Sequence, residues 1–404
     1  MKILVVTGGF PTRSETFIYR KVVALARRGH EVTVATRKTG DWSIYPDALP
    51  SNVTVVELLP DHSLVVPSRA LAMAVGAAQL ALTATSGLRD LYELCRRDSR
   101  AAQNASKHFF RHLSFLRIRP DVVHFEFLSL GAMYPLAAEV LEVPLIVSCR
   151  GNDLHTLELR APDEREAALD CLRKASAIHC VSDEMAGEVA RIADRRAGVW
   201  VNRPAVETDR ITMRAPQRAP GPLRLLATGR LIWKKGFDYL LAALARLARQ
   251  GVEFEAEILG EGELHSSLRF SIEDLGLGHC VKLAGAVPSA DVLARLRSAD
   301  VFVLSSVEEG ISNAVLEAMA TGVPVVTTDA GGMNEAVTDG VEGFVVPVRD
   351  VAALADRIRR LALEPELRTR MGTAARARAE KDFSIERQID VFEKIYHSVM
   401  QGNG

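Results

Sequence analysis

Short apolar runs of strand length recur along this chain, and stretches of helical periodicity separate most of them. "KILVV" opens the pattern. In "SETFIYRKVVALARRG" Ile18, Val22, Leu25 and Ala26 then fall at helical spacing, Gly29 can end the helix, and "EVTVAT" is the next strand. Strands that read as continuous apolar runs are buried on both faces, so helices must cover both sides of a mostly parallel sheet. Further strands are expected at 52–58, 121–127, 144–149, 177–182 and 198–202. The periodicity then breaks over 203–222, "RPAVETDRITMRAPQRAPGP", which is rich in proline and charge. A second run follows, with strands at 223–229, 254–260, 280–285, 300–305 and 324–329 and helices between them. The chain has 404 residues, too long for one ordinary core. The expected fold is therefore two doubly wound, Rossmann-like α/β domains facing across a cleft, with ligands at the carboxyl ends of the strands. Residues 1–203 form the first domain, with a helical insertion at 67–120. Residues 204–222 form a linker and 223–381 the second domain. The last stretch, 382–404, is an amphipathic helix with Ile385, Ile389, Phe392 and Tyr396 on one face.

Composition removes several function classes. A net charge of −1 gives no overall basic field for nucleic acid. The five cysteines contain no CxxC pair, which points to buried thiols in a reducing compartment and away from a disulfide framework or a zinc site. "MKILVVTGGFP" reads as a buried first strand, because its apolar run is too short for a signal peptide. The most apolar window, Leu64 to Leu82, is interrupted by Pro67, Arg69, Gly76 and Gln79. A membrane span needs ~20 nearly unbroken apolar residues, so a soluble protein is expected. GxGxxG, P-loop, GxSxG and HExxH patterns are all absent.

Four segments place chemistry at strand ends. In "EEGISNAVLEAMATGVPVV" a loop carrying Glu308, Glu309 and Gly310 precedes a helix whose N-cap is Ser312 or Asn313. The first-turn amides of such a helix form an anion site. Glu309 would lie on one side of a diphosphate seated over Gly310, Ile311, Ser312 and Asn313, and Glu317, about one turn along the helix, on the other. Carboxylates accept hydrogen bonds from hydroxyl pairs, so one could hold a sugar and the other a ribose. From spacing alone, a dipole-favouring acid and a solvated helix position explain the two glutamates equally well. In "GRLIWKKGFDYLL" Arg230, Lys234 and Lys235 bring cations to a strand end, where they could neutralise a leaving diphosphate. In "TGGFPTRSETFI" Gly8 and Gly9 permit close approach of a ligand, and Ser14 is a candidate N-cap. In "HFEF" and "CRGNDLH" His124, Glu126, Arg150 and Asp153 could line a cleft.

Taken together, "GRLIWKKGFDYLLAAL", "EILGEGE", "LAGAV" and "EEGISNAVLEAMATGVPVVTTDAGGMNEAV" resemble the C-terminal half of the family 4 retaining glycosyltransferases of GT-B fold. "FPTRSETFI" is similar to a subgroup that builds exopolysaccharide and related glycans. The resemblance covers nearly the whole chain and is strongest over 223–346. It implies an acceptor-binding N-terminal domain, a nucleotide-sugar-binding C-terminal domain and a final helix that crosses back onto the N-terminal domain. Glu309 would contact donor-sugar hydroxyls and Glu317 the ribose. Arg230, Lys235 and the backbone of 310–313 would hold the diphosphate, with Gly8 and Gly9 beside it and Gly285 by the base. Arg230, Lys235 and Glu309, with Asp153 and His124, make up the implied catalytic set. Ser14, Glu15, Glu126 and Arg150 stand on the acceptor side. The family often carries a histidine where this chain has Arg150. An arginine cannot act as a base, but its fork binds hydroxyls, carboxylates or phosphates.

The implied activity is transfer of a hexose-type sugar from a UDP- or GDP-sugar to a glycan, lipid-linked or small-molecule acceptor. Anomeric configuration is retained by front-face substitution, with no protein nucleophile, cofactor or essential metal. The competing expectations are a nucleotide-sugar epimerase and a catalytically silent binding scaffold. Cytoplasmic placement is expected. The basic stretch 89–119 raises peripheral contact with the membrane face, although a solvated helix face is the commoner meaning of such a charge run. The sequence does not specify base, sugar or acceptor.

Overall fold

Two parallel sheets organise the chain. A computed structural model describes residues 1–12, 15–45, 48–58, 85–97, 105–151, 154, 157, 160–214 and 221–402. The first sheet holds β1 (Lys2–Thr7), β2 (Glu31–Thr36), β3 (Val53–Glu57), β4 (Val122–Phe125), β5 (Leu145–Cys149), β6 (Ala177–Cys180) and β7 (Val199–Val201), in the order β3-β2-β1-β4-β5-β6-β7. The second holds β8 (Leu223–Thr228), β9 (Phe254–Leu259), β10 (Val281–Gly285), β11 (Val301–Leu304), β12 (Val325–Thr328) and β13 (Gly343–Val346), in the order β10-β9-β8-β11-β12-β13. Both are doubly wound α/β sheets, as expected. In each the winding reverses beside the first strand, between β1 and β4 and between β8 and β11. Ligands in such sheets bind at that crevice, beyond the carboxyl ends of the strands.

Side-chain alternation shows why the strands read as unbroken apolar runs. On β8, Leu223, Leu225 and Ala227 join one core cluster while Leu226 joins another. On β11, Val301 and Val303 face the first cluster, and Phe302 and Leu304 the second. Each face is covered by helices, so both positions of the period-2 repeat must be apolar. Helices Phe237–Arg249 and Val351–Leu363 pack on one face. Helix Asn313–Ala320 packs on the other, and helix Pro365–Asp382 reaches both, with Leu367 and Met371 in the first cluster and Ala375 and Ala379 in the second.

Two compact units divide the chain. One comprises Met1–Cys180, Ala186–Asn202 and Ile389–Gly404; the other comprises Val181–Met185 and Arg203–Gln388. The final helix, Ile385–Gln401, contributes most of its length to the first unit. There Phe392 and Tyr396 are buried, and Asp390 and Glu393 accept from Arg28 at 2.6 and 3.0 Å. In the second unit, residues 203–214, which open the expected linker, pack against their surroundings. Val206 and Ile211 are buried, Val206 bridges to Ser384, and Arg376 donates to the Ile211 carbonyl at 2.7 Å. Part of the expected insertion lies outside the described residues. Its helices Thr85–Arg97 and Ala105–His112 share a small apolar cluster around Leu91, Cys95, Leu113 and Leu136. Two of its arginines are used on backbone carbonyls, Arg111 on Met133 and Arg119 on Leu116. No helix among the described residues is long and apolar enough to cross a membrane.

Buried histidines are expected to make this fold acid-sensitive. His112 Nδ1 donates to the His108 carbonyl at 2.7 Å, and Nε2 accepts the Leu136 amide at 3.2 Å, so only the neutral ring fits. Burial pushes His112 down to about 4 and His179 down to about 3. An unfolded histidine titrates near 6.5, so below that pH the unfolded chain binds more protons and stability falls with pH. Each of the two is expected to cost on the order of 2 kcal/mol on going from pH 7 to pH 5. Denaturant unfolding at the two pH values checks this; an unchanged midpoint would contradict it.

Candidate active site

In the second unit the crevice between β8 and β11 is built from two loops. The chain leaves β8 through Gly229 and Arg230, then makes a 3₁₀ turn, Trp233–Lys235, ending at Gly236. Gly236 has φ +61°, and a Cβ there would sit 2.2 Å from the Ser305 carbonyl oxygen, so only glycine lets the turn press against the end of β11. The Val307 amide donates to the Lys234 carbonyl at 2.8 Å and Ser305 Oγ to the Lys235 carbonyl at 3.1 Å. Two ion pairs complete the clasp. Lys234 meets Glu308 at 3.1 Å, and Lys235 binds Glu309, with both of the latter side chains less than one-fifth exposed. Ser306 Oγ also donates to Glu309 Oε1 at 2.8 Å, and Thr328 Oγ1 fixes the Ser306 carbonyl at 2.5 Å. Lys235 and Glu309, assigned from sequence to diphosphate and sugar respectively, therefore meet in one pair. Arg230, on the same loop after β8, is exposed.

The helix Asn313–Ala320 starts directly after this loop, with Ser312 at its N-cap. Its first-turn amides have no intrahelical partner, which makes that end receptive to an anion. One part of the expected backbone grip is corrected by the structure. Ser312 and Ile311 are buried, and the Ser312 amide donates to Met333 Sδ at 3.4 Å, so it faces the core. The Asn313 Oδ1 position is buried with no hydrogen-bond partner among the described residues. The oxygen and nitrogen of such an amide are assigned from their partners, so either can stand there. Glu317 is half-buried on the second turn. Gly285, the last residue of β10, has φ +70°, and no described residue lies within 4 Å of where its Cβ would project.

"DAGGMNE" supplies residues that the sequence reading left without roles. A Cβ on Gly331 (φ +56°) would stand 1.9 Å from the Glu309 carbonyl oxygen, and one on Gly332 would stand 2.7 Å from Ser182 Cβ. These glycines let the loop after β12 pack against residues 309–311. Glu335 accepts the Asp183 and Glu184 amides at 3.0 and 3.2 Å and pairs with Arg203 at 2.7 Å, so it caps the helix Asp183–Ile192.

The first unit gathers a different set. Gly8 and Gly9 follow β1, and no described residue lies within 4 Å of where a Cβ on Gly8 would be. Glu15 is the N-cap of helix Thr16–Arg27. Ser14, the expected cap, and Asp153 lie outside the described residues. His124 does not line a surface. It is fully buried, its Nδ1 contacts Lys21 Nζ at 2.9 Å and Tyr396 Oη at 3.0 Å, and its Nε2 contacts Ser148 Oγ at 2.8 Å. With both ring nitrogens occupied by protein groups, it has no atom left for substrate. Glu126 is likewise fully buried. One oxygen accepts from Lys21 at 2.5 Å and the other from Arg150 at 2.7 Å. Burial alone would push the Glu126 carboxyl up; the surrounding charges, Lys21 foremost, outweigh it and hold the group well below the usual carboxylate range. Arg150 is partly exposed and lies across Phe17, 4.1 Å from the ring centre. Of the four residues expected here, Arg150 keeps a surface, Glu126 is buried against it, and His124 belongs to the core. Lys21 was missed. Its signal was a lysine on the apolar stripe of Ile18, Val22 and Leu25.

Residues 14–204 match the family described as glycosyl transferase 4-like domain, and residues 209–378 the family described as glycosyl transferases group 1. WcaL of Salmonella typhimurium, which carries a provisional assignment as a colanic acid biosynthesis glycosyltransferase, is 29% identical over 96% of this chain and 98% of its own. AmsK of Erwinia amylovora, an amylovoran biosynthesis glycosyltransferase, is 35% identical over 46% of this chain and 47% of its own. Among solved structures, Anabaena HepE in complex with UDP and glucose superposes with a TM-score of 0.73 at 20% identity, covering 98% of this chain and 100% of that one. That likeness shows the shared fold.

Proposed function

This chain belongs to the GT-B glycosyltransferases with a 4-like N-terminal domain and a group 1 C-terminal domain, and from that premise we propose that it moves a hexose-type sugar from a UDP- or GDP-sugar to a growing glycan or lipid-linked acceptor, with retention of configuration. The observation that carries the reading is the Lys235–Glu309 pair, clasped at the switch point of the second sheet beside the start of helix Asn313–Ala320. HepE was captured with UDP and glucose, and WcaL and AmsK are named for colanic acid and amylovoran biosynthesis; both facts favour this donor class and this kind of product.

The diphosphate sits at the helix start, with Lys235 and Arg230 as its cations. Glu309 accepts from the sugar hydroxyls and Glu317 from the ribose, while the opening at Gly285 takes the base. The bond from the anomeric carbon to the diphosphate oxygen breaks, and a bond to the acceptor oxygen forms on the same face. The acceptor's proton passes to the departing diphosphate oxygen. Catalysis rests on preorganised charge at the leaving group and on orientation, so no protein nucleophile is needed. Fixed cations at the leaving oxygens do the work that a divalent metal does elsewhere. A nucleotide sugar as donor and five free cysteines both accord with the cytoplasm. The test is proton NMR of the product's anomeric centre, with and without EDTA. Retention at an unchanged rate in EDTA is expected. Inversion, or loss of activity restored by a divalent metal, would overturn the mechanism.

A further inference from the structure

We propose that Lys21 is a positioning residue for sugar transfer: through the buried Glu126 carboxylate it holds the Arg150 guanidinium at the carboxyl end of β5, where Arg150 binds the acceptor. This rests on the transfer reaction proposed above and deepens it. Lys21 is 1% exposed on the helix Thr16–Arg27. Its Nζ contacts Glu126 Oε1, lies 2.9 Å from His124 Nδ1 and stands 4.1 Å from the Phe392 ring centre. Arg150 takes the other oxygen of the same carboxylate, and its Nε donates to the Glu126 backbone carbonyl at 3.1 Å. Two cations therefore grip opposite oxygens of one anion, and only the second of them reaches a surface. Loss of the first charge leaves Glu126 buried and half-paired. A carboxylate in that position turns or takes up a proton, and either change loosens Arg150. A helix stripe that needed only packing would be served as well by methionine or leucine.

The groups facing Lys21 are Glu126 and His124 on and after β4, Arg150 after β5, His179 on β6 and Tyr396 on the final helix. Burial keeps both histidines neutral and pushes the Tyr396 hydroxyl up, while Glu126 stays ionised. Burial, partly offset by Glu126, lowers Lys21 to about 8. Above that pH the grip on Glu126 weakens.

The experiment compares the full-length wild type with Lys21→Arg and Lys21→Met, using a responding nucleotide sugar as donor and a panel of octyl glycosides as acceptors. In the wild type, kcat/KM for the acceptor is expected to fall about tenfold per unit above pH ~8, through KM more than kcat. Lys21→Arg is expected to move that fall beyond pH ~9.5, since arginine stays charged. Lys21→Met is expected to raise the acceptor KM about tenfold at pH 7 and to keep the wild-type thermal shift with nucleotide. A Lys21→Arg profile with the wild-type alkaline fall, or a Lys21→Met protein with the wild-type acceptor KM, would overturn the inference. Melting the same proteins needs no transfer. A folded lysine titrating below its unfolded value sheds its proton first, so the wild type gains stability relative to Lys21→Met between pH ~8 and ~10.5. Absence of that gain overturns the inference; absence of transfer from every donor, with the gain intact, overturns the proposed reaction instead.

Discussion

Lys235→Ala is expected to lower kcat/KM for sugar transfer by about 10³-fold, roughly 4 kcal/mol of transition-state stabilisation. Negative charge develops on the diphosphate as the sugar departs, and Lys235 is a cation at the carboxyl end of β8 held there by Glu309 and by its own turn. Its side chain is 17% exposed, so its charge is only partly screened by water. The loss is expected mainly in kcat, because the interaction strengthens as the bond breaks. Lys235→Arg restores the charge but not the geometry, and part of the rate is expected to return. A Lys235→Ala protein that transfers sugar at the wild-type rate would remove Lys235 from the chemistry. The turn itself survives the substitution, since Val307, Ser305 and Gly236 fix it through backbone contacts.

Gly331→Ala is expected to destabilise the protein by about 2–4 kcal/mol and to reduce transfer by at least about tenfold. The new methyl would fall 1.9 Å from the Glu309 carbonyl oxygen, and the φ of +56° strains any side chain placed there. Backbone, not a flexible side chain, stands in the way, so the loop carrying Glu309 must move. Denaturant unfolding reads the first effect and steady-state kinetics the second. Gly340→Ala is the control, since it also has positive φ (+81°) but meets no described residue within 4 Å. It carries the backbone strain without displacing Glu309, so equal losses of activity in the two variants would refute the packing explanation.

Much of this arrangement is legible in the sequence because parallel sheets leave a plain signature. The expected strands from β1 to β12 were found at their expected places, since buried apolar runs between helical patterns admit few other meanings. β13 escaped notice. Its run is only four residues, Gly343 to Val346, wedged against a proline. The helix Pro365–Asp382 was missed for another reason. It buries Gly372, Ala375 and Ala379, small residues that give a weak apolar stripe but let the helix lie close to its neighbour, where a Cβ on Gly372 would be 2.3 Å from the Gly322 carbonyl oxygen.

Site residues divide along the same line. Glu309, Lys235 and the glycines could be placed because loops at strand ends have a fixed relation to the sheet. His124 and Glu126 could not be told from surface residues, because their burial depends on the final helix some 270 positions later, through Tyr396 and Phe392. Lys21 was visible as a charge on an apolar stripe, but its partner lies 105 positions away, and no local pattern pairs them. The Ser312 amide is the converse case: a helix start predicts anion binding, yet the sulfur of Met333, at the start of the helix Met333–Ala336, claims that donor.

A nucleoside diphosphate is expected to bind beside Lys235. The direct measurement is the melting temperature of wild type and Lys235→Ala against increasing UDP, GDP, ADP and TDP. A ligand that binds only the folded state raises the midpoint by mass action. UDP or GDP is expected to raise the wild-type midpoint in a saturable way, with a clearly smaller rise in Lys235→Ala at the same concentration. No shift of the wild type with any of the four, or the same shift in both proteins, would contradict the site described for this chain.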